Sequence, residues 1–186
     1  PLKPMPETQM EKAFDYLARI GDAALSAPEP LSHYFMTHKR ENYKLFPILY
    51  PLERFIVLFG ELSAYRDDMY VATWGAHGIE GHAWEVLDLL SRGETLTFDD
   101  LHSKLSRRGV TEEVHAADVR ELIGRGWAEE GSGAVQITLA GKQVLAEVEA
   151  ETERLFFAPW SSLNESELEE LSSLASQLRD GLKKGS

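Results

Sequence analysis

Apolar residues recur at spacings of three and four along most of this chain, and the interruptions divide it into helices. Phe14, Leu17, Ile20, Ala24 and Leu25 form one such stripe, which places them on a single helical face. Ahead of it, Thr8-Gln9-Met10-Glu11 has the form of a capping box, in which both side chains satisfy backbone amides of the first turn. The stripe predicts a helix ending near Ser26, broken by Pro28 and Pro30. From Leu31 to Tyr50 the pattern loses regularity, and Pro47 and Pro51 cut it into short helices and turns. Proline is tolerated in a first turn, so Pro51 opens a stronger helix carried by Leu52, Phe55, Ile56, Leu58, Phe59 and Leu62 to about Tyr65. Arg66-Asp67-Asp68 predicts a turn after it. Residues 69–81 hold three glycines beside Tyr70 and Trp74, which predicts a bent connection packed against something.

The second half changes rhythm. Ala83 to Ser91 buries Trp84, Val86, Leu87 and Leu90 on one helical face. Thr97 then caps a helix bearing Phe98, Leu101 and Leu105, with Asp99 and Asp100 placed to complement its dipole. Gly109 makes a turn, and Thr111 caps a helix with Val114, Ala117, Val119, Leu122 and Ile123 inward and Gly126 past its end. Trp127-Ala128-Glu129 and Ala134-Val135-Gln136-Ile137 flank Gly131-Ser132-Gly133, a hairpin with a short tip. A long helix follows from about Leu139 to Phe157, stopped before Pro159. Asn164-Glu165-Ser166-Glu167 starts the last helix, whose Leu168, Leu171, Ala175, Leu178 and Leu182 form a coiled-coil-like seam. That seam needs a partner, either the first helix or a second copy of the chain. Three helices followed by a hairpin are the order of a winged helix-turn-helix.

Within that order, His82-Ala83-Trp84-Glu85-Val86-Leu87-Asp88-Leu89-Leu90 resembles the helix that enters the DNA-binding domain of the MarR family. The stretch Leu96 to Leu105 is similar to the family's first helix of the helix-turn-helix. Ile137-Thr138-Leu139-Ala140-Gly141 resembles its strand-to-helix joint, and Leu163-Asn164-Glu165-Ser166-Glu167 its entry to the last helix. The resemblance implies a mainly α fold with a winged helix-turn-helix, a small β-hairpin wing and a helical dimerisation region. It divides the chain into an N-terminal helical region, residues 1–76, a winged domain, 77–138, and C-terminal dimerisation helices, 139–186. It also implies a homodimer, a ligand pocket between the dimer interface and the winged domain, and ligand-induced release of double-stranded DNA. The recognition helix is then Thr111 to Arg125, in the major groove, with the hairpin tip on the minor groove. Three features depart from the family: a wing without a base, a longer turn at Ser106 to Thr111, and the added stretch Pro28 to Gly75.

Charge alters this picture. The chain carries 31 acidic and 19 basic residues, a formal net charge of −12, which disfavours long-range attraction to phosphates. Residues 111–131 hold Glu112, Glu113, Asp118, Glu121, Glu129 and Glu130 against Arg120 and Arg125, an acidic surface where phosphate contacts normally need bases. A carboxylate can accept from cytosine N4, so one glutamate at the helix start is compatible with base reading. The candidate DNA-contacting residues are Lys104, Arg107, Arg108, His115 and Arg120, with Arg107 and Arg108 best suited to hold a backbone.

Aromatic residues concentrate before the winged domain. Most serve as core, but Tyr34, Tyr43, Phe55, Phe59, Tyr65, Tyr70, Trp74, His77 and Trp84 are candidates to line a pocket for a small aromatic ligand. Histidines fall in two pairs, His33/His38 and His77/His82. A separation of five residues is about 140° around a helix, so neither pair shares a face, and no metal site or cofactor is predicted. Were the protein an enzyme, His77, His82, Tyr65, Asp67 and Asp68 would be the acid–base candidates. No nucleophile elbow, P-loop or dinucleotide fingerprint is present, so the reading leans away from catalysis. Zero cysteines exclude disulfides and thiolate chemistry. The absence of a long apolar run or a signal-like segment predicts a cytoplasmic protein with no membrane partner. Three functional classes fit these features: a ligand-responsive transcriptional regulator, a relative that binds or transforms an aromatic metabolite without DNA, and a dimeric protein whose acidic face meets a basic partner.

Overall fold

Helix-stop signals and caps set the order of elements in the structure, a computed structural model that describes residues 5–27, 33–45, 51–93 and 95–183. The helices are α1 (Glu7–Leu25), α2 (Tyr34–Tyr43), α3 (Pro51–Gly75), α4 (Gly81–Ser91), α5 (Phe98–Leu105), α6 (Glu112–Gly124), α7 (Leu139–Phe157) and α8 (Glu165–Lys183). Two strands, β1 (Ala128–Gly131) and β2 (Ala134–Ile137), pair antiparallel. Pro28, Pro30, Leu31, Phe46, Pro47 and Tyr50 lie outside the described residues, as do the side chains of Leu52 and Leu182. No described helix is long and apolar enough to cross a membrane.

The chain divides into two compact units, one comprising residues up to Met69 with those from Glu153 on, the other Tyr70–Thr152. In the first, α1 packs on α8 through Tyr16, Leu17, Ile20, Leu171 and Leu174. The first helix therefore covers part of the terminal seam within one chain. Leu174 occupies the core position that spacing assigned to Ala175, which is exposed. The entry to α8 is a reciprocal cap: Glu167 N donates to Asn164 Oδ1 at 3.0 Å and Asn164 N to a Glu167 carboxylate oxygen at 2.9 Å. Arg19 of α1 holds the same carboxylate at 2.6 Å and also donates to the Ser162 carbonyl. Arg40 of α2 bridges Glu61 of α3 at 2.7 Å and Asp22 of α1 at 2.8 Å.

Two local expectations fail here for identifiable reasons. The capping box at Thr8 is not used; the helix begins at Glu7 behind an extended Pro6, without a side-chain cap. And Arg66-Asp67-Asp68 is not a turn, because α3 runs on to Gly75. Asp68 is 3% exposed, and its two carboxylate oxygens accept from Phe35 N at 2.8 Å and Met36 N at 2.9 Å. It is a cap for α2 supplied from another helix, since His33 at the N-cap makes no side-chain cap of its own.

The second unit is a winged helix-turn-helix. Trp84, Val86, Leu87 and Leu90 of α4, Leu101 of α5, Val119 and Leu122 of α6, and Ala128 and Val135 of the hairpin share one core. Thr97 and Thr111 cap α5 and α6 as their positions predict, accepting from Asp100 N and Val114 N. A 3₁₀ turn at Ser106–Arg108 and Gly109, with φ of +73°, link them. The far end of α6 closes with Gly126 N on the Ile123 carbonyl and Trp127 N on the Leu122 carbonyl, a Schellman arrangement. Ser132 and Gly133 both take positive φ at the hairpin tip, as a two-residue turn requires. Leu96 bridges to Val135 and adds a second, short pairing to the wing. At the joint into α7, a Cβ on Gly141 would collide with the Trp127 carbonyl oxygen and stand 2.8 Å from Ile137 Cγ1. Glycine is required at that close approach.

Candidate nucleic-acid interface and ligand cleft

The spacing of α6 decides what it can offer. His115, Asp118, Val119 and Leu122 recur at three and four, and all four are buried. Ala117, expected inward, is exposed and Val114 is half-buried, so the buried face is turned by about one residue from the apolar pattern. His115, a candidate for DNA contact, is 1% exposed and cannot reach a phosphate. The outward face carries Glu112, Glu113, Ala117 and Arg120. Its own backbone amide, then the Thr111 hydroxyl, hold the Glu113 carboxyl below its ordinary range, so that face stays anionic at neutral pH. Arg125 is committed elsewhere. It donates to the His77 and Gly78 carbonyls at 2.9 and 2.6 Å, pairs with Glu121 and lies over the Trp127 ring.

The wing repeats the theme. Glu129 and Glu130 are exposed, and a Glu129 carboxylate oxygen accepts from Gln136 Nε2 at 2.7 Å. Base-rich surface lies instead at the end of α5. Lys104, Arg107 and Arg108 line a cleft of about 610 Å³ together with Arg92, over Tyr70, Trp84 and Leu89. Glu85 and Asp88 stand on the same α4 face and pair with Arg108 at 3.1 Å and Arg92 at 3.0 Å. These pairs are exposed, and such pairs give way readily to a competing anion. Four of the second unit's cations thus gather in one place, beside the turn that leads into α6.

Residues 53–185 match the profile of a helix-turn-helix family. The chain belongs to that family. No curated protein matches it. Membership agrees with the three-helix core and the wing described above.

The remaining candidates of this helix-turn-helix protein divide between the two units. Tyr70, Trp74 and Trp84 come together in the second unit: Trp84 Nε1 donates to the Tyr70 hydroxyl at 2.7 Å, and the two tryptophan rings stack at 6.3 Å. His77 lies edge-on to Trp127. Tyr34, Tyr43, Phe55, Phe59 and Tyr65 belong to the first unit. Tyr34 is largely exposed, Phe55 and Phe59 pack ring on ring at 4.6 Å, and Tyr43 lies against Gly60.

The acid–base candidates divide in the same way. Tyr65 is buried, its hydroxyl donates to the Leu155 carbonyl, and burial followed by the Asp68 charge raises its pKa; it keeps its proton. Asp68 caps α2 and Asp67 is exposed. His82 pairs directly with a carboxylate, with Nδ1 2.7 Å from Asp118 Oδ1. Next to it, His102 Nδ1 of α5 lies 2.9 Å from His115 Nδ1. Neither contact joins the sequence pairs His33/His38 or His77/His82. No group of three histidine or acidic residues among the described residues could hold a metal ion.

Proposed function

We propose that this helix-turn-helix protein is a DNA-binding transcriptional regulator of the MarR type, acting as a homodimer and responding to a small aromatic ligand. The observation that carries this reading is the presentation of α6. It is capped at both ends, buried along His115, Asp118, Val119 and Leu122, and open along its opposite face beside a wing. A rigid helix with one unoccupied face next to a hairpin is how such motifs enter a major groove. Because that face is acidic, affinity must come from Arg107, Arg108, Lys104 and Arg120. With four cations per protomer, a dimer neutralises at most about eight phosphates, and each cation removed lowers the salt slope by about one per protomer.

Anisotropy titrations with DNA from the protein's own genomic neighbourhood test this, first near about 50 mM salt and then near about 200 mM. Saturable, sequence-selective binding that weakens in Arg107→Ala and Arg108→Ala supports the regulator. Absence of binding at the lower salt retires it.

The cleft favours a second reading, in which the protein binds an aromatic anion without DNA. Its floor of Tyr70 and Trp84 and its cations Arg92, Lys104, Arg107 and Arg108 suit a ring bearing a carboxylate. Titration of tryptophan fluorescence with benzoate against benzyl alcohol separates the two readings: quenching by the acid alone, with no DNA binding, selects the second.

A further inference from the structure

Two imidazole nitrogens facing each other impose a counting rule. His102 Nδ1 and His115 Nδ1 are 2.9 Å apart, a hydrogen-bond distance, and the bond needs one Nδ1–H and one Nδ1 lone pair. A protonated imidazole carries hydrogens on both nitrogens. The contact therefore survives with one charged ring and is forbidden with two. His115 is 1% exposed, while His102 is half-buried with its ring against Phe98. This makes His115 the neutral acceptor and His102 the donor. Burial, and then the neighbouring His102, lower the proton affinity of His115 below the ordinary histidine value, in agreement with that assignment.

The groups around the pair determine where the His115 ring can go once both imidazoles are protonated. From α4, His82 and Glu85 act on His115; from α6, Asp118 acts on it, with Glu121 acting in turn on Asp118, while Glu113 interacts with His102; from α5, His102 itself faces it. Asp118 is 3% exposed, with Oδ1 bound to His82 and Oδ2 lacking a hydrogen-bond partner among the described residues. It stands three residues beyond His115 on the same helical face, where it favours charge on that ring. We propose that the His102–His115 contact is an acid-released catch on the recognition helix. It ties α6 to α5 while one ring is neutral, and it opens when both are protonated, leaving His115 to turn toward the open oxygen of Asp118. The sign is fixed by the lowered proton affinity of His115. Its contribution to stability is present above the ordinary histidine pKa of about 6.5 and is lost as pH falls below it. The catch is a property of the motif itself and holds whether or not α6 reads DNA.

The test follows the histidine Cε1–H resonances of the full chain from about pH 8 to about 4.5, a range that spans the histidine titration, together with amide exchange along α6. The expected result is one histidine protonating below the ordinary range and a rise in α6 exchange of about tenfold or more with the same midpoint, while α8 is unchanged. In His102→Gln the side-chain amide donates to the neutral His115 Nδ1 and, turned over, accepts from the protonated ring through its oxygen, so the acid step in α6 exchange should disappear. An α6 whose exchange ignores the His115 titration overturns the catch. So does an unchanged acid step in a folded His102→Gln protein. Should that variant not fold, the wild-type titration decides alone.

Discussion

In the unit built around α1, α2 and α8, the polar contacts between helices join groups whose charge is fixed near neutrality: Arg19 with Glu167, Arg40 with Glu61 and Asp22, Lys12 and Tyr16 with Glu170. In the helix-turn-helix unit, α6 is joined to its neighbours through imidazoles, His82 with Asp118 and His102 with His115, the side chain whose ordinary pKa lies nearest neutrality. The contrast separates a permanent clamp from a conditional one. It also puts the conditional contacts on α6, the helix to which the proposed function gives the DNA. Burial, opposed by the His82 hydrogen bond, raises the Asp118 pKa. That carboxylate is thus held at a cost which His82 offsets.

The largest effect should come from breaking the permanent clamp. Glu61→Ala leaves the mostly buried Arg40 guanidinium with the exposed Asp22 as its one remaining acidic partner among the described residues. Removing one member of such a pair costs about 3 kcal/mol, the low end for buried pairs because Arg40 keeps some solvent. Denaturant unfolding should show that loss equally at about pH 8 and about pH 6, on either side of the ordinary histidine pKa. A loss that grew at the lower pH would dissolve the contrast between the units.

The second effect tests the helix-turn-helix unit without touching its histidines. Gly141→Ala forces a methyl group into the Trp127 carbonyl and Ile137, and overpacking of this kind costs about 2 kcal/mol. Hydrogen exchange should localise the damage to the wing and the start of α7. An unperturbed wing would mean that the joint can give way and that the glycine is not a steric requirement.

These two sites differ in how far the sequence announces them. Gly141 follows Thr138 at a helix entrance, where Thr138 Oγ1 accepts from Gly141 N and donates to the Gly126 carbonyl. Thr97, Thr111 and Gly126 are equally plain, because caps and left-handed turns are written in adjacent residues. The hairpin is legible for the same reason. Asp68 is not, since its carboxylate is explained by two amides more than thirty positions away, and a buried acid inside Arg66-Asp67-Asp68 looks like a turn until its partner is known. His115 and Asp118 carry a signal that an apolar-only pattern discards: positions 115, 118, 119 and 122 share one face of α6. Polar residues in register with Val119 and Leu122 mark a buried polar seam. The cleft at Lys104, Arg107 and Arg108 is legible as a cluster of bases, but its floor of Tyr70 and Trp84 is not, because it depends on how α4 and α5 pack.

Asp68 gives the third, smaller effect. Asp68→Asn keeps one acceptor for the amides of Phe35 and Met36 and replaces the other with a donor. Loss of one buried cap bond costs about 1 kcal/mol. Exchange at Phe35 and Met36 should rise while α6 is untouched. If α6 changed as well, the conditional contacts would depend on the permanent ones.

The smallest effect is an interval in which nothing should change, and it is the most discriminating. Arg19, then the Asn164 amide, hold the Glu167 carboxyl below its ordinary value, and Lys12, then Tyr16, do the same for Glu170. Groups with lowered carboxyl pKa contribute stability that is present above the ordinary value of about 4.5 and is lost only as pH falls through it. Amide exchange at the start of α8 should therefore be flat from about pH 8 to about 5, after correction for intrinsic exchange, and rise only below that. The contribution of His115 is lost over the interval in which α8 stays flat. A single acid transition common to α6 and α8 would show that one clamp serves both units. Two transitions, with α6 first, would show that α6 can be loosened while the α1–α8 pairing remains closed.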